Sequence, residues 1–179
     1  YDPGVAVLVS AITETVVSDT VGDLSGERPV VVGGTPVTIA TRHTASGTPI
    51  LNATQHAFEH FAASGLSPSY HSWSWVPWTG RNVVADLPGT TLPAELVVVC
   101  AHLDDMPAGS LAPGADDDAS GSTAVLLAAR TLAGARFHRT IRFVLFTGEE
   151  QGLRGSAAYA SLLASAGANV VAVLNLDMI

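Results

Sequence analysis

Leu96-Val97-Val98-Val99-Cys100-Ala101-His102-Leu103-Asp104 decides the fold. The unbroken apolar run from Leu96 to Ala101 reads as a strand buried on both faces, the pattern of a sheet's centre. Ile141 to Phe146 and Val170 to Leu176 repeat it. Helical stretches lie between: one from Asp118, as N-cap, through about Ala133, and one from Leu153 to Leu163. Strands alternating with helices after residue 95 predict a three-layer α/β/α sandwich with a mixed, centrally parallel sheet.

Upstream the pattern differs. Ser69 to Val76 alternates, with His71, Trp73 and Trp75 on one side, and Asn82 to Leu87 follows as a second strand. This pair is expected to be antiparallel and towards an edge. Helices are expected over 5–17 and 49–63, the latter with Ile50, Leu51, Ala57, Phe58 and Phe61 on one face. Gly33-Gly34-Thr35-Pro36 is a turn. At 179 residues the chain is expected to be a single domain over 1–179, large enough for a core.

Composition narrows the function. The formal charge is −8, and all eight basic residues are arginine. Nothing forms a basic patch, which argues against nucleic acid as a partner. No apolar run approaches the ~20 residues that cross a bilayer, so no membrane span is expected. Cys100 is alone, which excludes an internal disulfide and suggests a small buried thiol. The chain begins at Tyr1 rather than Met, which leans weakly towards an exported or extracellular protein from which a leader has been removed.

Four short pieces carry the chemistry: His102-Leu103-Asp104, Pro113-Gly114-Ala115-Asp116-Asp117-Asp118-Ala119-Ser120-Gly121, Thr147-Gly148-Glu149-Glu150 and Asn175-Leu176-Asp177-Met178. Together they hold seven of the sixteen acidic residues, and Asp105 adjoins the first piece. Ligands of open α/β sheets gather beyond the carboxyl ends of the strands, where all four pieces fall. An imidazole and carboxylates without cysteine suit zinc. Several carboxylates around few imidazoles suit two metals sharing a bridging carboxylate.

These motifs, in this order, resemble the co-catalytic dizinc exopeptidases, the group of bacterial secreted leucine aminopeptidases and aminopeptidase Y. The resemblance is specific from about Asn82 to Ile179, and looser around Ile39-Ala40-Thr41-Arg42. It implies a zinc-dependent aminopeptidase acting on peptides. His102 and Asp177 would bind one zinc, Glu150 the other, and Asp117 both. Glu149 would be the general base, acting on a water of lowered pKa, and Asp104 would hold the His102 ring by its other nitrogen. It also implies a cis Asp117–Asp118 peptide.

The chain departs from that pattern. The family's fifth ligand is a histidine well downstream of Asp177, and this chain stops at Ile179, so it is expected to be an N-terminal part of a longer protein. The strand at 170–177 is expected to be central or nearly so. Without later elements, Val171, Val173 and Leu176 would be left uncovered, inviting association with the missing part or self-association, and the metal pair would be incompletely held. His138 and the N-terminal His43, His56, His60 and His71 are expected to lie away from the metals. Asp105 stands where the family often has a small residue.

Rival readings remain. His56-Ala57-Phe58-Glu59-His60 has the form of inverted zinc peptidases, although the pair is expected on a solvated helix face. Trp73, Trp75 and Trp78 suit hairpin packing, or an apolar substrate pocket. The same fold could serve a non-catalytic binding module, a carboxypeptidase or a one-zinc acyltransferase resembling glutaminyl cyclase. The Glu149-Glu150 pair and the intact Asp117 motif favour the peptidase.

Overall fold

The computed structural model describes residues 3–107 and 109–179. In chain order the elements are α1 (Pro3–Ser10), α2 (Glu14–Leu24), β1 (Val30–Val32), β2 (Thr35–Val37), α3 (Thr48–Ala63), β3 (Ser69–Trp75), β4 (Trp78–Leu87), β5 (Leu92–His102), α4 (Gly121–Leu132), β6 (Arg139–Phe146), α5 (Arg154–Ser165) and β7 (Asn169–Asn175). The main sheet has the order β3-β4-β6-β5-β7. β5 pairs in parallel with β6 and β7, while the β3–β4 hairpin joins antiparallel through β4.

Strand alternation builds the layers. Val83, Ala85, Ala101, Ile141, Phe143 and Leu145 enter the larger core with Leu24, Phe61, Val125 and Leu126 from α2, α3 and α4. Val84, Val98, Cys100 and Val144 point the other way, against Tyr159 of α5. Cys100 is buried, and that burial pushes its thiol up to about 11.

Three sequence expectations are corrected here. The helix expected over 5–17 is two helices bent by 50°, because the Thr13 side chain accepts the Val16 N–H and starts α2 afresh. No single helix among the described residues is long and apolar enough to cross a membrane, although this bent pair passes by length and composition. β7 lies at the edge of the described sheet, not its centre, and Val171, Val173 and Leu174 are exposed. Asp177 needs only adjacency to β5 to reach the site, so centrality is not required.

The third correction concerns α3. Its buried face is Ile50, Ala53, Thr54, Ala57 and Phe61, whereas Leu51 is exposed. His56 and His60 are not on a solvated face. His56 Nε2 and His60 Nδ1 are sealed from solvent without hydrogen-bond partners among the described residues. Burial lowers both pKa values, that of His60 to about 4, with Arg130 and the neighbouring ring adding to the effect on His60 and Asp23 opposing it. Glu59 is engaged elsewhere, accepting the Gly33 N–H and the Gln55 amide.

A histidine kept neutral by burial binds its proton more weakly folded than unfolded. Its contribution is therefore intact above pH ~6.5 and is lost as pH falls towards about 4. His60→Gln should reduce the loss of stability between pH 7 and 4.5 by on the order of 2 kcal/mol, read as the change in urea midpoint between the two pH values. The comparison with the unmodified protein matters, because Asp105 and Asp118, both pushed up to about 6, act in the opposite direction.

Candidate metal centre

The parallel register sets the site. His102 is the last residue of β5 and stands opposite Phe146, the last of β6. The chain beyond Phe146 turns through Gly148, at φ 76°, a left-handed conformation that glycine tolerates, and presents Glu149 and Glu150. β7 ends at Asn175, two residues before Asp177. Between β5 and α4, an irregular helical turn at Ala115–Ser120 carries Asp117 and Asp118 with non-helical dihedrals and a cis bond between them, as expected. Gly121 closes this turn, and a Cβ there would come within 2.5 Å of both Asp118 Oδ1 and the Leu176 carbonyl.

The donors converge. His102 Nε2 lies 3.0 Å from Asp117 Oδ1 and 3.9 Å from Asp177 Oδ1. Two groups share His102, one with Asp117 and Asp177 and one with Glu149 and Glu150, each with ligand atoms within 4.8 Å of one another. The other ring nitrogen, Nδ1, sits 3.1 Å from the main-chain oxygen of Asp104 and 3.9 Å from its carboxylate. Asp104 thus steadies His102 through its backbone rather than its carboxylate, with Nδ1–H as donor, leaving the Nε2 lone pair for a metal.

The Asp104 carboxylate has another task. Fully buried, it accepts the N–H groups of Glu149 (3.1 Å) and Glu150 (3.2 Å) and the Thr44 hydroxyl (3.1 Å). Asp118, also fully buried, accepts the N–H groups of His102, Gly121 and Met178. It is not the N-cap the sequence suggested, a position taken by Ser120 without a side-chain cap bond, but it receives the N–H of the first residue of α4 and ties together three segments of the site. This wider role was not legible in the sequence, because a three-aspartate run does not show which carboxylates turn inward.

Electrostatics favour a cation. Burial works against charge on His102, but Asp104, Asp118, Glu149 and Asp117 outweigh it and raise its pKa. Burial raises Glu149 and Glu150, His102 opposes, and neighbouring carboxylates raise them further. A divalent cation among these oxygens and the imidazole relieves their mutual repulsion, and the oxygen–nitrogen donor set without sulfur suits zinc.

The segment 41–44, loosely read in the sequence, proves to be part of the support. Arg42 is fully buried and donates to four carbonyls, those of Leu103, Leu24, Pro113 and Gly114. Its guanidinium lies 3.6 Å from Asp105 Oδ2, and its N–H donates to Asp105 Oδ1. Asp105 is therefore the partner of a buried arginine. His43, expected away from the metals, lies beside the loop that carries Glu150, with Nε2 3.5 Å from Gln151 Nε2. His56, His60, His71 and His138 are in neither donor group.

Acidic donors and one histidine at the carboxyl ends of the parallel strands of a mixed sheet make up a candidate metal centre. The chain belongs to Peptidase family M28, whose model matches residues 82–179. It is 40% identical over 107 residues to a probable leucine aminopeptidase of Trichophyton verrucosum, covering 54% of this chain and 28% of that protein. It is 44% identical over 103 residues to a probable zinc metalloprotease of Pyricularia oryzae, covering 55% of this chain and 20% of that one. The matches thus span less than a third of these relatives' own length. In fold it resembles the LapA aminopeptidase of Legionella pneumophila (TM-score 0.77, 22% identity, 96% of this chain and 44% of that one). It also resembles a glutaminyl cyclase of Porphyromonas gingivalis (TM-score 0.74, 18% identity, 93% and 59%).

Removing the Arg42 guanidinium leaves Asp105 buried and uncompensated and four carbonyls without their donor. Arg42→Met should cost about 3–5 kcal/mol, read as the shift in urea midpoint, and Arg42→Lys should recover only part of it because an ammonium cannot span the same fork.

Proposed function

We propose that this chain carries most of the catalytic centre of a zinc exopeptidase that removes N-terminal residues from peptides. The observation that carries the reading is the pair of donor groups sharing His102, with Glu149 and Glu150 anchored side by side on Asp104. The names of the relatives agree with it. His102, Asp117, Glu150 and Asp177 would hold zinc. Bound there, zinc would polarise the scissile carbonyl and lower the pKa of a water.

The chain's own residues do the rest. Glu149 takes a proton from the attacking water as its oxygen bonds to the carbonyl carbon, then delivers that proton to the leaving amine as the C–N bond breaks. Its raised pKa suits both halves of the task. Asp104 fixes the backbone of both glutamates, so one side chain can serve metal and the other water. The fold alone does not separate this reading from glutaminyl cyclase chemistry. The second glutamate beside the base and the intact Asp117 motif favour two metals and hydrolysis.

In the complete protein, Glu149→Gln should keep its zinc and lower turnover of an aminoacyl anilide by roughly 10²–10⁴-fold. Asp117→Asn should lose zinc. Elemental analysis beside the rate assay checks both, and wild-type turnover in Glu149→Gln would remove Glu149 from the role of base.

A further inference from the structure

The donor groups occupy the carboxyl edge of the sheet on the β5 and β7 side of β6. On the other side of β6, at the same edge, opens a cavity of about 490 Å³. It is walled by Trp73, Pro77 and Trp78 of the β3–β4 hairpin and by Ile50 and Leu51 of α3. No carboxylate lines it. Its one charged lining residue is Arg81, whose guanidinium is already committed: Nε donates to Thr54 Oγ1, Nη2 to the Leu51 carbonyl, and Cζ lies 3.9 Å from the centroid of the Tyr70 ring. What remains accessible suits an uncharged, apolar side chain.

Two residues that line the cavity are also tied to the loop that carries Glu149 and Glu150. Thr44 lines the cavity while its hydroxyl donates to Asp104 and accepts the Gly148 N–H. Thr147 lines it too, two residues before Glu149, and its hydroxyl accepts the Trp73 indole N–H. Along the rim, Gln151 meets His43, and His43 meets the edge of Trp78 at 6.2 Å between ring centroids. Asp104 and Thr44 stand between the donors and the cavity, so a peptide held at the donors meets the cavity with a residue beyond the one at the cut.

We propose that this cavity is a subsite for an apolar side chain on the leaving portion of the peptide substrate, with Trp78 and Leu51 as its selectivity residues. The assignment rests on the exopeptidase reading above. An enzyme that removes one N-terminal residue has no further substrate on the acyl side, so a cavity set back from the donors behind Asp104 and Thr44 serves the leaving chain.

The test uses the complete, zinc-loaded protein and three substrates: leucine 4-nitroanilide, Leu-Ala-Leu-Leu-amide and Leu-Ala-Ala-Ala-amide. The unmodified protein should prefer the leucine-rich peptide by roughly tenfold in kcat/KM, the scale of burying one aliphatic side chain. Leu51→Trp narrows the cavity from an exposed position, and Trp78→Ala removes a wall. Each should abolish the preference and leave anilide turnover unchanged, which also shows that the variants fold. No preference in the unmodified protein, or equal losses on anilide and peptide, overturns the subsite. Should the unmodified protein cleave none of the three, the exopeptidase reading falls. The subsite is then judged by tryptophan emission during titration with Leu-Ala-Leu-Leu-amide: a saturable change lost in Trp78→Ala supports it, and no change overturns it.

Discussion

Backbone N–H groups that leave the carboxyl edge of a parallel sheet have no further strand to pair with, and burying them unpaired is costly. Two buried carboxylates resolve this. Asp118 receives the N–H groups of His102, Gly121 and Met178, and Asp104 receives those of Glu149 and Glu150. Each hydrogen-bonded residue is a donor residue of the centre or within four positions of one in the chain. Satisfying the backbone and aiming the metal donors are therefore one act. Burial of Asp104 and Asp118 is unfavourable in itself, as their raised pKa values show, and is tolerated because several N–H groups converge on each.

The fold was legible where apolar runs were long. Leu96–Ala101, Ile141–Phe146 and the 170s run each became a strand, with β5 between β6 and β7 as a centrally parallel arrangement requires. Local chemistry overrode pattern where the runs were weaker. Thr13 restarted a helix that apolar spacing alone would have continued. Helix α3 has apolar residues on more than one side, so the spacing fitted two faces. Tertiary packing selected the one that exposes Leu51 and half-buries His56 and His60.

The candidate centre was legible because its donors are clustered in motifs on consecutive strand ends. Its support was not. Arg42 lies 61 positions from Leu103 and 72 from Gly114, and one arginine among eight carries no mark of the four carbonyls it will meet. Asp105 looked like an anomaly beside His102-Leu103-Asp104. In three dimensions it is the counter-charge without which Arg42 could not be buried. His43 was set aside for the same reason, since sequence distance hid that the 41–44 segment packs under the Glu149–Glu150 loop.

The strand order also divides labour across β6. Among the described residues, both donor groups that could hold a cation stand on or just beyond the ends of β5, β6 and β7 or on the turn after β5, where parallel strands bring chain ends to one edge. The antiparallel β3–β4 hairpin reaches the same edge with a tip instead of chain ends, and so contributes broad side chains, Trp73 and Trp78, rather than backbone turns. Thr44 and Thr147 stand at the seam: Thr44 faces the cavity while bonded to Asp104, and Thr147 is bonded to the hairpin through Arg81 and Trp73 two residues before Glu149. Changes on the hairpin can therefore alter the cavity while Asp104 and Asp118 keep the donors in place. On the proposed reading, the parallel half of the sheet carries the chemistry and the antiparallel half the selectivity.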